Sequence, residues 1–168
     1  MDAKDKMEST PVERTITERK SDRELATTRT FDAPARLVFK AWTTPSLFQR
    51  WWVPASFGLT LVSYDADIRV CGKYRLVFGH PEAPEPMAFF GTYLEVTPNS
   101  LLVWTNEEAG EPFQVTTVTF EEKDCKTLLV VTDLYPSKEA LDEAIATDST
   151  GALPLQFEQL DAILAEIA

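Results

Sequence analysis

Residues 29–52, RTFDAPARLVFKAWTTPSLFQRWW, contain the capping and helix-breaking residues that divide this part of the chain into two short helices. Asp32 can accept backbone N–H bonds at the start of the first helix. Pro34 falls in the first turn, where a missing N–H donor costs nothing. Pro45 ends this helix because the residue before a proline is pushed away from helical backbone angles. The sequence therefore predicts a second short helix after Pro45, closed by Pro54.

This stretch and the residues just after it are rich in large aromatic side chains, including three of the four tryptophans of the chain. We expect Trp42 and Trp51 to point inward as anchors of the core. Trp52 and Phe57 fall where the second helix gives way to the sheet. They are therefore the aromatic residues best placed to touch a bound molecule. We expect the cluster to belong to the hydrophobic core. If the protein has a pocket, the cluster also lines one side of it.

The segment from residue 57 to 135 has the alternation and turn residues that are typical of antiparallel strands. It divides into six strands that form three hairpins, with turns at 71–72, 97–100 and 123–126. A further strand, ELATTRTF, precedes the helices at residues 24–31. Short turns between successive strands predict a meandering antiparallel sheet.

The C-terminal part of the chain is predicted to be helical. Residues 137–147 form a short amphipathic segment, and a longer helix follows Gly151. Its apolar residues recur at helical spacing and make one stripe that the sheet can cover. The stripe consists of Leu153, Phe157, Leu160, Leu164 and Ile167. Residues 1–22 are polar and lack periodicity, so we expect a flexible leader before a single domain at residues 23–168.

Composition excludes several classes of function. The net charge is −11, and residues 106–168 carry all of the excess, with 14 acidic and 3 basic residues. This sign argues against a nucleic-acid partner. Two distant cysteines and one histidine give no metal-site spacing, and six scattered glycines give no phosphate-binding loop. We expect a cytoplasmic protein with no metal, no cofactor and no membrane span.

The order of predicted elements is that of the helix-grip fold, and the motifs sharpen the likeness. The stretch RTFDAPARLVFKAWTTPSLFQRWW resembles the opening motif of the activator-of-heat-shock-protein-ATPase homologue family, within the START-like (SRPBCC, polyketide cyclase and birch-allergen-like) superfamily. The segments DIRVCGKYRLVF and GTYLEVTPNSLLVWT are similar to two further family motifs. The matching residues are Asp67, Arg69, Gly72 and Tyr74 in the first segment, and Gly91, Glu95 and Pro98 in the second.

The resemblance runs from about Glu24 to the C-terminus and implies an α+β fold. A curved antiparallel sheet of about six to seven strands would wrap around the long C-terminal helix, with two short helices after the first strand. Two positions depart from the family pattern. Cys71 stands where the family has a glycine, so the hairpin turn there is expected to differ. Leu153 stands near the position of a family tryptophan, and its smaller side chain would reshape that end of the interior.

Members of this superfamily bind apolar ligands between the sheet and the C-terminal helix, so the resemblance implies a site there. Strand alternation puts Tyr74, Leu76 and Phe78 on one face, opposite Lys73 and Arg75. The alternative is that the inward side chains fill a solid core. The predicted ligand-binding residues are Trp42, Trp52, Phe57, Tyr74, Leu76, Phe78, Trp104, Val118, Asp133, Phe157 and Leu160.

Asp133 is the most chemically interesting of these residues. In TLLVVTDLY it shares a strand face with Leu129 and Val131, and a buried carboxyl group has a raised pKa unless it is paired. The alternative is a solvated carboxylate at the end of the strand. His80 lies in the proline-rich loop GHPEAPEP with no nucleophile motif beside it, so a surface role is favoured.

The leading hypothesis is binding of a small hydrophobic or amphipathic molecule in an internal cavity, with no catalytic residue assigned. A second hypothesis is a cyclase- or hydrolase-like enzyme that uses Asp133 or His80 in the same cavity. A third is a chaperone-interacting, stress-response module, which the name of the family suggests. A homodimer is also compatible with the sequence.

Overall fold

The computed structural model describes residues 15–53, 58–82, 84–108, 111–146 and 153–167. Its eight strands are β1 (Ile16–Arg19), β2 (Glu24–Phe31), β3 (Thr60–Ala66), β4 (Lys73–Gly79), β5 (Met87–Thr97), β6 (Leu101–Glu108), β7 (Glu111–Lys123) and β8 (Lys126–Leu134). The four helices are α1 (Ala35–Thr43), α2 (Pro45–Trp52), α3 (Lys138–Ala146) and α4 (Leu153–Ile167).

All eight strands belong to one antiparallel sheet with the order β1-β2-β8-β7-β6-β5-β4-β3. The chain meanders from β3 to β8, and β2 pairs with β8. The predicted helix-grip fold and its three hairpins are confirmed. The sheet has eight strands, one more than the upper limit of the six to seven expected. The additional strand is β1, inside the segment predicted as a leader, where it pairs with β2 from Ile16↔Thr28 to Arg19↔Leu25.

The hairpin turns place several residues in the left-handed backbone region. Asn99 (φ 64°) tolerates this region well, and Asp124 and Cys125 (φ 54° and 65°) both adopt it at the β7–β8 turn. Cys71 has φ 70° in the β3–β4 turn, and its N–H donates to the Tyr93 carbonyl oxygen at 2.8 Å. The cysteine therefore adopts the backbone conformation that the family's glycine would favour, at a cost in strain.

Helix α1 begins at Ala35, with Pro34 as the residue before its first turn. Asp32 is exposed and makes no capping bond, so its predicted capping role is wrong. Instead the Ala35 N–H donates to Glu122 Oε1 from β7 at 3.0 Å. A carboxylate from a distant strand thus stabilises the start of the helix, where N–H groups lack partners.

The break between α1 and α2 is held by a side chain. The chain leaves the first helix at Thr44, whose N–H donates to the Lys40 oxygen. The next carbonyl, that of Ala41, would need an N–H from residue 45, which is a proline. The indole N–H of Trp51 in α2 donates to this carbonyl at 3.0 Å. Trp51 is therefore both a core residue and the hydrogen-bond partner that the helix end lacks.

Helices α1, α2 and α4 pack together over one face of the sheet, called the inner face below. Helix α4 buries Phe157, Leu160, Ile163 and Leu164 there, and the Phe157 ring meets Phe31 edge-to-face at 5.3 Å. Helix α3 covers a smaller cluster at the sheet's other end through Leu141. Within the described ranges, every helix is too short or too polar to cross a membrane.

Candidate functional site

Trp42 lies at the centre of a group of stacked and edge-to-face rings on the inner face. Its ring centroid lies 4.8 Å from that of Trp51, 5.9 Å from those of Trp52 and Trp104, and 6.2 Å from that of Phe120. Helices α1 and α2 supply three of these rings, and β6 and β7 supply the other two. The aromatic wall, as we name it, consists of Trp42, Phe48, Trp51, Trp52, Trp104 and Phe120.

The wall joins the helices to the sheet and remains partly accessible at one edge. Trp52 is half-buried and stacks on Phe48 with a centroid distance of 4.7 Å. Tyr64, also half-buried, packs on the same Phe48 ring at 5.2 Å. Trp52 and Tyr64 thus mark the rim of the wall, and Trp42 and Trp104 lie inside it.

Polar side chains begin where the aromatic wall ends. Trp104, Thr116 and Asp133 are successive partners across β6, β7 and β8, so they share the inner face. Thr116 Oγ1 donates to Asp133 Oδ1 at 2.6 Å and accepts from Asn106 Nδ2 at 3.0 Å. The Tyr74 hydroxyl oxygen lies 3.0 Å from Asn106 Oδ1. We call Tyr74, Asn106, Thr116 and Asp133 the polar chain.

Burial raises the pKa of Asp133, although hydrogen bonds from Thr116 and Gln114 act in the opposite direction. Desolvation therefore outweighs the two bonds and favours the neutral carboxyl group. Burial, with a smaller contribution from the charge of Asp133, also raises the pKa of Tyr135 to about 12. Asp133 shares the inner face with Leu129 and Val131, as the alternation of the sequence predicts.

Two tyrosines extend the polar region towards β3. Burial raises the pKa of Tyr64 to about 12 and that of Tyr93 still further, and the two hydroxyl groups hydrogen-bond each other. The Tyr93 ring packs on Trp104 at 6.1 Å and on Tyr74 at 5.8 Å. Both phenols remain neutral at physiological pH and can donate or accept a hydrogen bond.

Gly91 in β5 makes room for the polar chain. A Cβ atom at this position would lie 1.8 Å from the Thr105 oxygen and 2.8 Å from Cε2 of Tyr74. Without it, the Tyr74 ring passes across β5 and its hydroxyl reaches the Thr105 carbonyl of β6 at 2.9 Å. The glycine therefore positions Tyr74.

The structure gathers most of the predicted site residues into one apolar cluster. Trp52 packs against its edge, and Asp133 joins it through Thr116. Phe57 lies outside the described residues. The buried members of the predicted set are Trp42, Tyr74, Leu76, Phe78, Trp104, Val118, Phe157 and Leu160. That these side chains contact a ligand stays a prediction.

Sequence reasoning missed Arg29, the buried cation of the inner face. Arg29 forms an ion pair with Asp161 of α4, and its guanidinium group lies 4.9 Å from the centre of the Phe31 ring. In ELATTRTF, period-two alternation places Arg29 on the same face as Leu25 and Phe31. That alternation was the signal that could have identified it.

A groove of about 560 Å³ lies on the opposite, outer face of the sheet. It is lined by Asp65, Lys73, Tyr74, Arg75, Phe90, Gly91 and Glu107. The exposed Lys73 and Arg75 alternate along β4 with the buried Tyr74 and Leu76, so the groove opens on the face opposite the aromatic wall. It adjoins the polar chain at Tyr74.

His80 and the Asp67–Arg69 pair have local roles. His80 Nδ1 accepts the Glu82 N–H at 3.0 Å within the β4–β5 loop. Arg69 Nε donates to Asp67 Oδ2 at 2.8 Å in an exposed turn. In the part of the chain that the structure describes, no three His, Cys, Asp or Glu side chains come together to hold a metal ion.

Comparison with known proteins gives a family and a fold. A family model described as "Activator of Hsp90 ATPase homolog 1-like protein" matches residues 32–165. No curated protein sequence matches the chain. Solved structures match well at low identity. A crystal structure of a Rhodobacter sphaeroides protein has a TM-score of 0.81 at 21% identity, with 92% of this chain and 99% of that chain covered.

Two further solved structures agree with this result. Protein Ms6760 from Mycobacterium smegmatis has a TM-score of 0.77 at 23% identity, covering 92% of this chain and 99% of its own. A Staphylococcus epidermidis protein solved by NMR has a TM-score of 0.76 at 24% identity, with coverages of 90% and 94%. At these identities the likeness establishes the fold and leaves function to be argued from the site.

Proposed function

The chain belongs to the activator of Hsp90 ATPase homologue 1-like family, whose START-like fold is of a ligand-binding type, and we propose that it binds a small apolar or amphipathic molecule between the sheet and α4. The aromatic wall would take up the apolar body of the molecule. The polar chain would orient its polar end.

The observation that carries the proposal is the desolvated carboxyl group of Asp133 beside the aromatic wall. Asp133 accepts hydrogen bonds from Thr116 and Gln114, and Thr116 connects it to Asn106. Burying a carboxyl group costs free energy that an apolar side chain would not. Small-molecule sites combine a mostly apolar lining with a few placed polar groups and a perturbed pKa. The junction of Trp104 with the polar chain has this character.

The mechanism of binding follows from the two parts of the site. Removing an apolar molecule from water against tryptophan and phenylalanine rings supplies the free energy of binding. The half-buried Trp52 and Tyr64 lie at the rim of the aromatic wall, where a ligand would enter. Asp133 would then set the orientation of the ligand through hydrogen bonds of its carboxyl group.

A thermal-shift screen against lipids and aromatic metabolites tests the proposal, because a ligand that binds only the native state raises its Tm. Trp104→Leu should abolish the shift produced by any hit. Phe90→Ala, which alters the outer groove, is the matched control and should preserve it. Loss of the shift in the Phe90 variant with retention in the Trp104 variant would place binding in the outer groove and refute the proposal.

A second candidate function is catalysis by Asp133 in the same site. Burial raises the pKa of Asp133, and a carboxyl group with a raised pKa can act as a general acid or base. This function requires a substrate that is turned over by the wild-type protein. Asp133→Asn should then eliminate turnover while binding is retained, whereas equal turnover in both proteins would exclude it.

A further inference from the structure

The groove on the outer face of the sheet has the size of a small-molecule site and takes no part in the function proposed above. Its volume of about 560 Å³ lies within the usual range for such sites, roughly 300–1,000 Å³. Helices α1, α2 and α4 pack on the other face of the sheet. The lining combines one exposed-face aromatic ring, that of Phe90, with the charged side chains of Asp65, Lys73, Arg75 and Glu107.

The groove residues lie on successive strands, so their order across the sheet is fixed. Lys73 and Arg75 lie on β4, Phe90 on β5 and Glu107 on β6. Arg75 and Phe90 are direct partners in the register of β4 and β5. Neighbouring strands lie about 4.8 Å apart, so β4 and β6 are separated by about 10 Å. A molecule that crosses the groove therefore meets a cation, an aromatic ring and a carboxylate in that order.

The carboxylate of Glu107 is held in place by two hydroxyl groups. Thr92 Oγ1 donates to Glu107 Oε2 at 3.0 Å, and the Thr105 hydroxyl donates to the same oxygen. Among the described residues, the other carboxylate oxygen, Oε1, has no hydrogen-bond donor. A carboxylate accepts hydrogen bonds on both oxygens, so Glu107 can take a further donor, such as a hydroxyl or amino group of a ligand.

The two cations differ in what they already contact. Lys73 Nζ donates to Thr92 Oγ1 at 3.3 Å. Arg75 faces Asp65 in the register of β3 and β4, yet neither Asp65 nor any other described carboxylate forms an ion pair with its guanidinium group. A guanidinium group binds a planar carboxylate through two parallel hydrogen bonds. Arg75 is therefore the group of this groove that is best suited to hold an anion.

The total charge of the groove restricts the ligand further. The lining has two cations and two carboxylates, so a ligand with several negative charges would be repelled by Glu107 and Asp65. A single carboxylate on Arg75 avoids this repulsion if the end of the ligand that reaches Glu107 is a donor. The ring of Phe90 between the two ends favours a flat aromatic body.

We infer that the outer groove binds a planar aromatic monocarboxylate that carries a hydroxyl or amino group at the far end of its ring. The carboxylate pairs with Arg75, the ring packs on Phe90, and the donor bonds Glu107. 4-Hydroxybenzoate has this arrangement. The ligand class and the face of the sheet differ from those of the proposed function, so neither inference depends on the other.

Three probes of one shape test the inference: 4-hydroxybenzoate; benzoate, which lacks the donor; and 4-hydroxybenzamide, which lacks the charge. Titration of the full chain followed by ¹H–¹⁵N NMR gives the Kd of each. The contacts are exposed to solvent, so 4-hydroxybenzoate should bind with a millimolar Kd, and loss of either contact should weaken binding about threefold. Binding this weak hardly changes the Tm at the micromolar ligand concentrations of a thermal-shift screen.

Substitutions assign each contact to its residue. Arg75→Ala should bind 4-hydroxybenzoate and 4-hydroxybenzamide equally, and Glu107→Ala should bind 4-hydroxybenzoate and benzoate equally. Arg36→Ala removes an exposed cation of α1 and is the matched control for the change in net charge. Trp104→Leu alters the inner face. Both of these variants should retain the wild-type Kd values.

The outcomes separate this inference from the proposed function. Equal binding of the three probes by the wild-type protein overturns the inference, as does undetectable binding at millimolar concentration. A preference for 4-hydroxybenzoate that survives both Arg75→Ala and Glu107→Ala also overturns it. In the wild-type protein, amide shift changes confined to β4, β5 and β6 support it even if Glu107→Ala fails to fold. Changes centred on α4, with binding lost in Trp104→Leu, would overturn the outer site and support the proposed function instead.

Discussion

Trp42 and Trp51 form a matched pair for testing how the break between α1 and α2 is stabilised. Both are buried in the aromatic wall, and substitution by phenylalanine removes the same atoms from each site. The two substitutions differ in hydrogen bonding. Trp51→Phe leaves the Ala41 carbonyl without its donor, and Pro45 cannot replace it. Trp42→Phe removes an N–H that has no described protein acceptor.

The difference in stability follows from these contacts. The losses of apolar contact and the cavities should be similar at the two sites, so they largely cancel in the comparison. A buried carbonyl left without a donor costs about 1–3 kcal/mol. We therefore expect Trp51→Phe to lower the free energy of unfolding by about 1–3 kcal/mol more than Trp42→Phe.

Urea denaturation followed by far-UV circular dichroism measures this difference without depending on tryptophan fluorescence. With a slope of about 1–3 kcal/mol per M, the midpoint of Trp51→Phe should lie roughly 1 M urea below that of Trp42→Phe. The slopes should agree, which checks that both variants unfold from the same compact state. Equal midpoints, or a lower midpoint for Trp42→Phe, would refute the role assigned to the Trp51 indole.

Three further predictions concern single positions. Because burial raises the pKa of Asp133, its ionisation destabilises the fold as pH rises from the unfolded pKa through the raised folded one. Asp133→Asn should therefore gain stability relative to wild type with rising pH in urea titrations. Hydrogen bonds from Lys138 and Arg19 lower the pKa of Asp142, so Asp142→Asn should lose stability relative to wild type with rising pH. If both variants changed in the same direction with pH, the pKa directions assigned to the two residues would be contradicted. Gly91→Ala should cost about 3 kcal/mol or more, because its Cβ meets backbone 1.8 Å away, and an unchanged Tm would contradict this packing. Cys71→Gly should raise stability by about 0.5–1 kcal/mol by relieving a left-handed cysteine, and a lowered urea midpoint would argue against the strain.

Local patterns predicted the parts of the fold that depend on neighbours in sequence. Alternation along β4 and β8 placed Tyr74 and Asp133 on the inner face because side-chain direction in a strand has a period of two. Turn chemistry predicted the β5–β6 turn, where Asn99 adopts a left-handed backbone. Proline positions divided α1 from α2, since Pro45 fixes where the first helix ends.

The errors arose where distant residues decide the outcome. Helix α1 is capped by Glu122, which lies 87 residues from Ala35 in sequence, and no local signal favours it over Asp32. All four residues of β1 are exposed, so the strand has no apolar alternation that the sequence could show. Its pairing with β2 and the contact of Thr17 with Thr27 depend on residues further along the chain. The ion pair of Arg29 with Asp161 spans 132 residues. Such partners emerge only once the helix has been placed on the sheet.

The composition of the polar chain limits how Asp133 can exchange protons. Hydroxyl groups and carboxyl groups can pass a proton along by accepting one and releasing another. The amide of Asn106 stands between the Tyr74 phenol and Thr116, and its N–H does not ionise under physiological conditions. The polar chain is therefore continuous in hydrogen bonds but does not form a proton-transfer pathway. A proton that reaches Asp133 therefore does not travel from the Tyr74 phenol through Asn106, and Asn106→Asp would place an ionisable group between the two.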